Sequence, residues 1–319
     1  MSVAAEARRI RALRPPKPYV DPFAAHGSTV DEERRPDGTI ERALTVFLAG
    51  AECPFTCAFC DLWRYTTDAP TPPGALPHQV EAALGALGAP RPDRLKLYNA
   101  SNFFDPRAVP RADLPALAAL GGSFRGVTVE SHASTVGADS VAFARALGST
   151  GGTRLEVAMG LETVHPIAAA RLNKRLDLAR FDAATAFLGE HDIDVRVFAL
   201  LGAPHVPDDA SVEWAVRTVE HAAARGAALV CVIPVRGGNG EMERLASLGA
   251  FVPPTLAQLE AVLDACVGIG STAVTVDLWD ADRIATCDDC RSARVERLRR
   301  MNVTGRAEPR VSCATCGGA

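Results

Sequence analysis

Seven short runs of β-branched and aliphatic residues recur along the chain. They are LTVFLA (44–49), RLKLY (94–98), GVTVES (126–131), RLEVAMGL (154–161), DVRVFALL (194–201), ALVCVIPV (228–235) and TAVTVDL (272–278). Between them, apolar residues fall at helical spacing, most clearly in HQVEAALGAL, DLPALAALG, SVAFARALG, ARFDAATAFLGE, ASVEWAVRTVEHAAARG and TLAQLEAVLDAC. Parallel strands need a crossover, and a crossover helix covers the sheet face. The alternation therefore predicts an α/β chain with a parallel sheet under helices. Six or seven such units point to a full or partial barrel over 44–278. In that architecture chemistry gathers at the C-terminal ends of the strands.

The flanks lack the alternation. In residues 1–43, RPPKP and RPDGTIER break any long element, which predicts an irregular N-terminal arm. Residues 279–319 carry CDDC (287–290), a helical RSARVERLRRM and CATC (313–316), which predict a small metal-stapled extension. No repeat of the solenoid kind is present. No apolar run reaches the roughly 18–20 residues of a membrane span. The N-terminal arginines precede no apolar core of a secretory signal. A cytoplasmic protein without membrane contact is expected, and there clustered cysteines denote metal or redox chemistry more often than disulfides.

A hydrophobic content of 48% with 23% charged residues is that of an ordinary globular chain able to bury a large core. The net charge of −4 leaves no overall basic footprint, which disfavours tRNA or DNA as substrate. RRIRALRPPK (8–17) and RSARVERLRR (291–300) are local basic stretches, read as solvated helix faces or packing arms.

The first predicted strand runs directly into AECPFTCAFCDLW, with Cys53, Cys57 and Cys60 at C-x3-C-x2-C spacing. Three thiols cannot all pair with one another, and a zinc site lacks its fourth local ligand. Three thiolates suit three corners of a [4Fe–4S] cube, whose fourth iron stays open for an exogenous ligand. The bland alternative is a zinc knuckle or three unrelated core thiols.

CPFTCAFC resembles the cluster motif of the radical S-adenosylmethionine (SAM) superfamily, including Phe59 before the third cysteine. That resemblance implies a partial barrel of the (β/α)6 type, in which SAM chelates the open iron and is cleaved reductively to a 5′-deoxyadenosyl radical, which takes a hydrogen atom from the substrate. It also implies an electron donor such as flavodoxin or ferredoxin. Further candidates for the SAM site follow successive predicted strands. Asn99 and Ser101 offer short polar side chains for the SAM amine, Glu130 reaches for the ribose hydroxyls, Glu162 lies on the same rim, and Arg196 would pair with the SAM carboxylate. LYNASNFFDPRAVP, VAMGLETVHPIAAARLNKRL and VFALLGAPHVPDDASVEWAVRTVEHA are similar to the archaeosine synthase branch, more distantly to Elongator-type proteins. GAP (202–204) replaces that branch's basic-Pro-Pro run, and the last cysteine pair is wider than the branch pattern.

Cys287, Cys290, Cys313 and Cys316 form two C-x2-C pairs separated by 22 residues, a strong metal signal. Two occupants compete: a tetrahedral zinc, or an auxiliary [4Fe–4S] cluster that transfers electrons or donates sulfur. Cys231 and Cys266 sit in apolar runs and are expected in the core. His132, His165 and His205 follow strands and are candidates for substrate contact or proton relay, against the plainer role of loop histidines bonded to backbone. Asn173-Lys174-Arg175 would bind an anion or cap a helix, RGGNGEME (236–243) is a candidate lid, and Asp105 and Asp277 would orient substrate hydroxyls.

The expectation is a radical SAM enzyme on a small polar, nucleoside- or sugar-like substrate, with sulfur insertion from the second cluster. The alternatives are a tRNA-modifying C–N lyase like archaeosine synthase and a non-catalytic zinc-ribbon scaffold.

Overall fold

The chain is described by a computed structural model covering residues 3–149 and 151–317. Its eight strands lie side by side in chain order: β1 (Gly27–Arg34), β2 (Ile40–Phe47), β3 (Arg94–Tyr98), β4 (Gly126–Glu130), β5 (Arg154–Glu162), β6 (Asp194–Leu201), β7 (Leu229–Pro234) and β8 (Ala273–Val276). β1 and β2 form an antiparallel hairpin, and β2 through β8 are parallel. The result is an α/β half-barrel. Its seven parallel strands coincide with the seven apolar runs. The helices α2 (Ala75–Gly85), α3 (Leu114–Gly121), α4 (Ala138–Ser149), α6 (Leu178–Glu190), α7 (Ser211–Ala224) and α9 (Leu256–Cys266) fall on the six helical segments.

Strand alternation sorts the side chains into two populations. Leu95 and Leu97, Val127 and Val129, Val195 and Val197, and Val230 and Val232 face outward into one core beneath the helices. The opposite parity faces the lumen. Its upper part is lined by half-buried Tyr98, Glu130, Phe198 and Cys231, with Tyr98 and Phe198 edge to face at 6.2 Å. Cys231 is thus a lumen thiol rather than a core one, whereas Cys266 is fully buried in the core. Period-two alternation on a strand buried on both sides hides this distinction.

The lumen floor is charged. Glu156 accepts from Arg35 Nη1 at 2.8 Å, Arg196 Nε at 2.9 Å and Thr128 Oγ1 at 2.8 Å, and Arg196 Nη1 donates to Glu33 at 2.8 Å. Lys96 also pairs with Glu33. Arg196 does face inward, but near the start of β6, and its guanidinium is taken up by these two carboxylates. It is a floor residue and not a rim ligand.

Glu33 and Arg35 come from the stretch read as an irregular arm. That stretch carries α1 (Val3–Ala12) and β1. GSTVDEER shows no apolar alternation because it is an edge strand whose inward partners are charges. The remaining helices, α5 (Pro166–Arg171), α8 (Glu241–Ser247) and α10 (Asp288–Thr304), lie in connections and in the C-terminal extension. Among the described residues, no helix is long and apolar enough to cross a membrane.

Candidate functional site

The loop bearing the three cysteines leaves β2 at the C-terminal rim. Leu48 N still donates to Tyr98 O at 2.7 Å, so the strand continues briefly past its ladder. Gln79 of α2 then grips Ala49 from both sides, accepting its N–H and donating to its carbonyl, each at 2.8 Å. The loop turns at Gly50 and is pinned further along by three asparagine side chains. Asn102 Nδ2 points at Cys53 Sγ (3.5 Å) while its Oδ1 accepts from His132 N at 2.8 Å. Asn173 Nδ2 donates to Thr56 O at 2.9 Å and to Thr56 Oγ1 at 2.7 Å. Asn239 Nδ2 donates to Ala58 O at 2.8 Å and to Cys60 O at 3.2 Å. Asn173 and Asn239 satisfy carbonyls of the loop that would otherwise be unpaired, while Asn102 links the Cys53 thiol to the backbone after β4.

Cys53, Cys57 and Cys60 line one recess with Arg14, Glu52, Phe55, Trp63 and Ala100. Arg14 stacks on Trp63 at 4.7 Å and donates to Glu52 at 2.8 Å, so the segment after α1 walls one side of the recess. Burial pushes all three thiols up, Cys57 to about 12, with the positive charge of Lys174 opposing the shift at Cys53 and Cys57. The apo-protein therefore favours neutral thiols, and a bound metal centre has to displace their protons.

On the neighbouring strand ends, Asn99 Oδ1 and Nδ2 and Ser101 Oγ are buried and have no hydrogen-bond partner in the protein. Buried polar groups are normally satisfied, so these three atoms mark a place where a polar ligand belongs. Glu130 accepts from Asn99 N at 3.2 Å, and burial raises its carboxyl to about 7. Glu162 sits in left-handed backbone (φ +70°) and accepts from Lys174 Nζ at 2.5 Å. Gly160 makes room for that pair: a Cβ there would lie 2.0 Å from Glu162 Oε1 and 2.5 Å from Lys174 Nζ. Burial works against the Lys174 charge, yet the Glu162 carboxylate outweighs it and holds the ammonium above its ordinary range. Ala100, Asn173, Arg175 and His205 also have positive φ, so backbone strain concentrates on this rim.

Other expected residues take different positions. Phe59 packs against the small apolar cluster of Ala58, Leu200, Val235 and Met242. His132 stacks on Phe55 at 4.1 Å, its Nε2 lies 3.1 Å from Lys174 O, and burial lowers its pKa to about 4. It is a neutral brace between β4 and the cysteine loop. His165 caps α5, accepting from Ala168 N at 3.1 Å. Burial lowers the pKa of His205. Asp105 Oδ1 accepts from Arg107 N in its own turn, while Asp277 pairs with Arg236 at 2.7 Å beyond β8. Asn173 spends its Nδ2 on Thr56 and so holds the cysteine loop. RGGNGEME is not a free lid. Asn239 anchors it, Glu243 accepts from Gly240 N at 2.7 Å, and Gly240 (φ +87°) passes so close to Leu13 that a Cβ would meet its carbonyl oxygen at 2.0 Å. Asn102 and Asn239 were not singled out in the sequence, because one asparagine in a loop carries no pattern; their signal is the backbone each satisfies.

The second cysteine set forms on the C-terminal extension. Cys287 is the N-cap of α10, Cys290 lies in its first turn, and Cys313 and Cys316 come from the returning tail. The ligand atoms of all four lie within 4.8 Å of one another.

No protein-family model matches the chain, and no curated protein sequence matches it. Solved structures do share its fold. Elp3 from the archaeon Methanocaldococcus infernus, lacking residues 1–46, superposes with a TM-score of 0.52 at 13% identity, over 72% of this chain and 60% of that one. The match thus spans about three fifths of the Elp3 chain. Coproporphyrinogen III oxidase (HemN) from Escherichia coli, a radical SAM enzyme, matches at TM-score 0.45 and 15% identity over 67% of this chain and 49% of that one. Methylornithine synthase (PylB) matches at TM-score 0.43 and 12% identity over 86% and 77%. At these identities the likeness to Elp3 is one of fold.

Proposed function

We propose that the chain is a radical SAM enzyme acting on a small polar, nucleoside- or sugar-like molecule. One observation carries this reading: the three thiols of CPFTCAFC share a rim recess, and on adjacent strand ends the polar atoms of Asn99 and Ser101 are buried without partners. Cys53, Cys57 and Cys60 would hold a [4Fe–4S] cluster through three irons, and Asn99 and Ser101 would receive the polar end of SAM. When bound, these groups supply the 5′-deoxyadenosyl radical that removes a hydrogen atom.

The chain's own residues orient and shield. Gln79, Asn102, Asn173 and Asn239 hold the cysteine loop in one conformation. The Glu162–Lys174 pair places a buried cation beside the thiols while remaining neutral overall. Tyr98 and Phe198 narrow the lumen, and the charged floor beneath them closes it to bulk water. Glu130 can hold or give up a proton near neutral pH.

A formal charge of −4 favours a small molecule over tRNA, against the tRNA substrate that the motif resemblance to the archaeosine synthase branch would suggest. A flavodoxin or ferredoxin would supply the electron. The test is anaerobic reconstitution, reduction and addition of SAM. 5′-Deoxyadenosine should form with the wild type and not with a Cys53→Ala/Cys57→Ala/Cys60→Ala variant. A fully loaded, reduced wild type that never yields it would refute the assignment.

A further inference from the structure

We infer that Cys287, Cys290, Cys313 and Cys316 bind a single tetrahedral zinc-class ion, not an iron–sulfur cluster, and that this ion latches the C-terminal tail to α10. The sulfur spacing decides between the two occupants. Cys287 Sγ and Cys313 Sγ are 3.9 Å apart, and Cys290 Sγ and Cys316 Sγ are 3.7 Å apart. Zinc–thiolate bonds of about 2.3 Å at tetrahedral angles put the sulfurs about 3.8 Å apart. A cubane binds each thiolate through a different iron, which spreads the four sulfurs to roughly 6 Å. Among the described residues, these four are the one set of His, Cys, Asp or Glu whose ligand atoms converge on a single-ion position; Cys53, Cys57 and Cys60 do not converge in this way. The two cysteine sets thus differ in geometry as they would for different metal centres.

The fold gives the ion a task. α10 packs on both edges of the open sheet, β1 and β8. Asn302 Oδ1 accepts from Val276 N at 2.9 Å and its Nδ2 donates to Val276 O at 2.8 Å, so one side chain satisfies the exposed edge of β8. Arg294 donates to Glu260 of α9 at 2.9 Å. The tail then runs back along α10. Arg297 Nε donates to Glu308 O at 3.1 Å and to Pro309 O at 3.0 Å, and Arg310 reaches Asp264 at 3.0 Å. Beyond that point the tail is largely exposed, and Cys313 and Cys316 tie it to the start of α10 together with one exposed hydrogen bond, Thr315 Oγ1 donating to Asp289 at 2.5 Å. Ligation by four thiolates would release four protons and join tail to helix end. A mononuclear ion has no bridging sulfide to give, so the site would take no part in sulfur insertion.

The test uses the full chain, purified anaerobically as wild type and as the Cys53→Ala/Cys57→Ala/Cys60→Ala variant, with zinc, iron and acid-labile sulfide counted per chain. The expected result is one zinc in both, with iron and sulfide absent from the triple variant. Cobalt(II) exchanged into that variant should give the intense ligand-field spectrum of a tetrahedral tetrathiolate. A Cys313→Ser/Cys316→Ser variant should lose the zinc, keep the iron, and become cleavable by protease within 311–317. Roughly four irons and four sulfides remaining in the triple variant would overturn the inference in favour of an auxiliary cluster. Absence of stoichiometric metal at the four cysteines would overturn it equally. Neither outcome depends on whether SAM is cleaved.

Discussion

Removing the Asn173 side chain should loosen the cysteine loop without unfolding the barrel. Asn173 lies at φ +53°, in left-handed backbone, so Asn173→Gly deletes the amide at no steric cost to the backbone. Two hydrogen bonds are lost, to Thr56 O and Thr56 Oγ1, and Thr56 is only 1% exposed. Each bond contributes about 1 kcal/mol net, and leaving a buried carbonyl underpaired adds a comparable penalty, so the ordered loop loses about 2–3 kcal/mol. At 1.4 kcal/mol per factor of ten, the loop's population in its ligating conformation relative to disordered forms falls about 30- to 150-fold. Metal retention at the three cysteines should weaken by a similar factor, because the ordering must then be supplied on binding. The assay is the rate of iron release to a chelator after anaerobic reconstitution, alongside a urea titration of the apo-protein. Asn173→Asp, which keeps the shape but turns the donor into an acceptor, should behave at least as badly. Iron release within twofold of wild type in both variants would refute the anchoring role.

Three further outcomes follow from the same structure. Glu130 carries a folded-state pKa raised by burial from 4.5 to about 7, so the folded state holds an extra proton in that window, and stability should fall by at most about 3 kcal/mol as pH rises through it. Glu130→Gln should flatten that slope in a pH series of thermal melts. Glu156→Gln leaves Arg35 and Arg196 beside an uncharged amide at a site with 0% exposure, and should cost about 3–5 kcal/mol by urea denaturation. Gly160→Ala drives a Cβ into Glu162 and Lys174, and should lower the melting temperature by the equivalent of about 1–3 kcal/mol.

The half-barrel was legible because both its periods are strong. Each of the seven parallel strands is a short run rich in β-branched and aliphatic residues, broken at most by single lumen-facing polar ones such as Lys96, Thr128, Glu156 and Arg196, and each covering helix shows its apolar stripe over two or more turns. β1 was not legible, since GSTVDEER buries charge against charge and offers no hydrophobic signal. The sequence singled out Arg196 on its strand, but neither its direction nor its spent hydrogen bonds were legible: the partners Glu33 and Glu156 lie 163 and 40 residues away in the chain. The thiols announced themselves by spacing. The asparagines that hold them did not, because an amide's task depends on which backbone group it meets. Cys231 illustrates the same limit. A strand flanked by helices on one side and a lumen on the other reads as uniformly apolar, so the sequence pattern does not reveal which parity is solvated.

The choice of asparagine around the three cysteines has an electrostatic logic. A buried loop that must present three thiolates to a metal centre needs its carbonyls satisfied, and a lysine or arginine would satisfy them just as well. Each such cation would, however, add a full positive charge within a few ångströms of the thiolates, where weak screening makes it count. It would favour the thiolates before metal arrives and bias the reducibility of any centre they hold. Neutral amides supply the same donors without that bias. The buried cations described near the thiols are each matched: Lys174 by Glu162 at 2.5 Å and Arg14 by Glu52 at 2.8 Å, so each pair contributes a local dipole in place of a net charge. Breaking that balance with Glu162→Gln should leave Lys174 uncompensated and raise the reduction midpoint of the bound centre, measurable by anaerobic redox titration. A midpoint unchanged between the two proteins at equal iron content would show that the ion pair only packs.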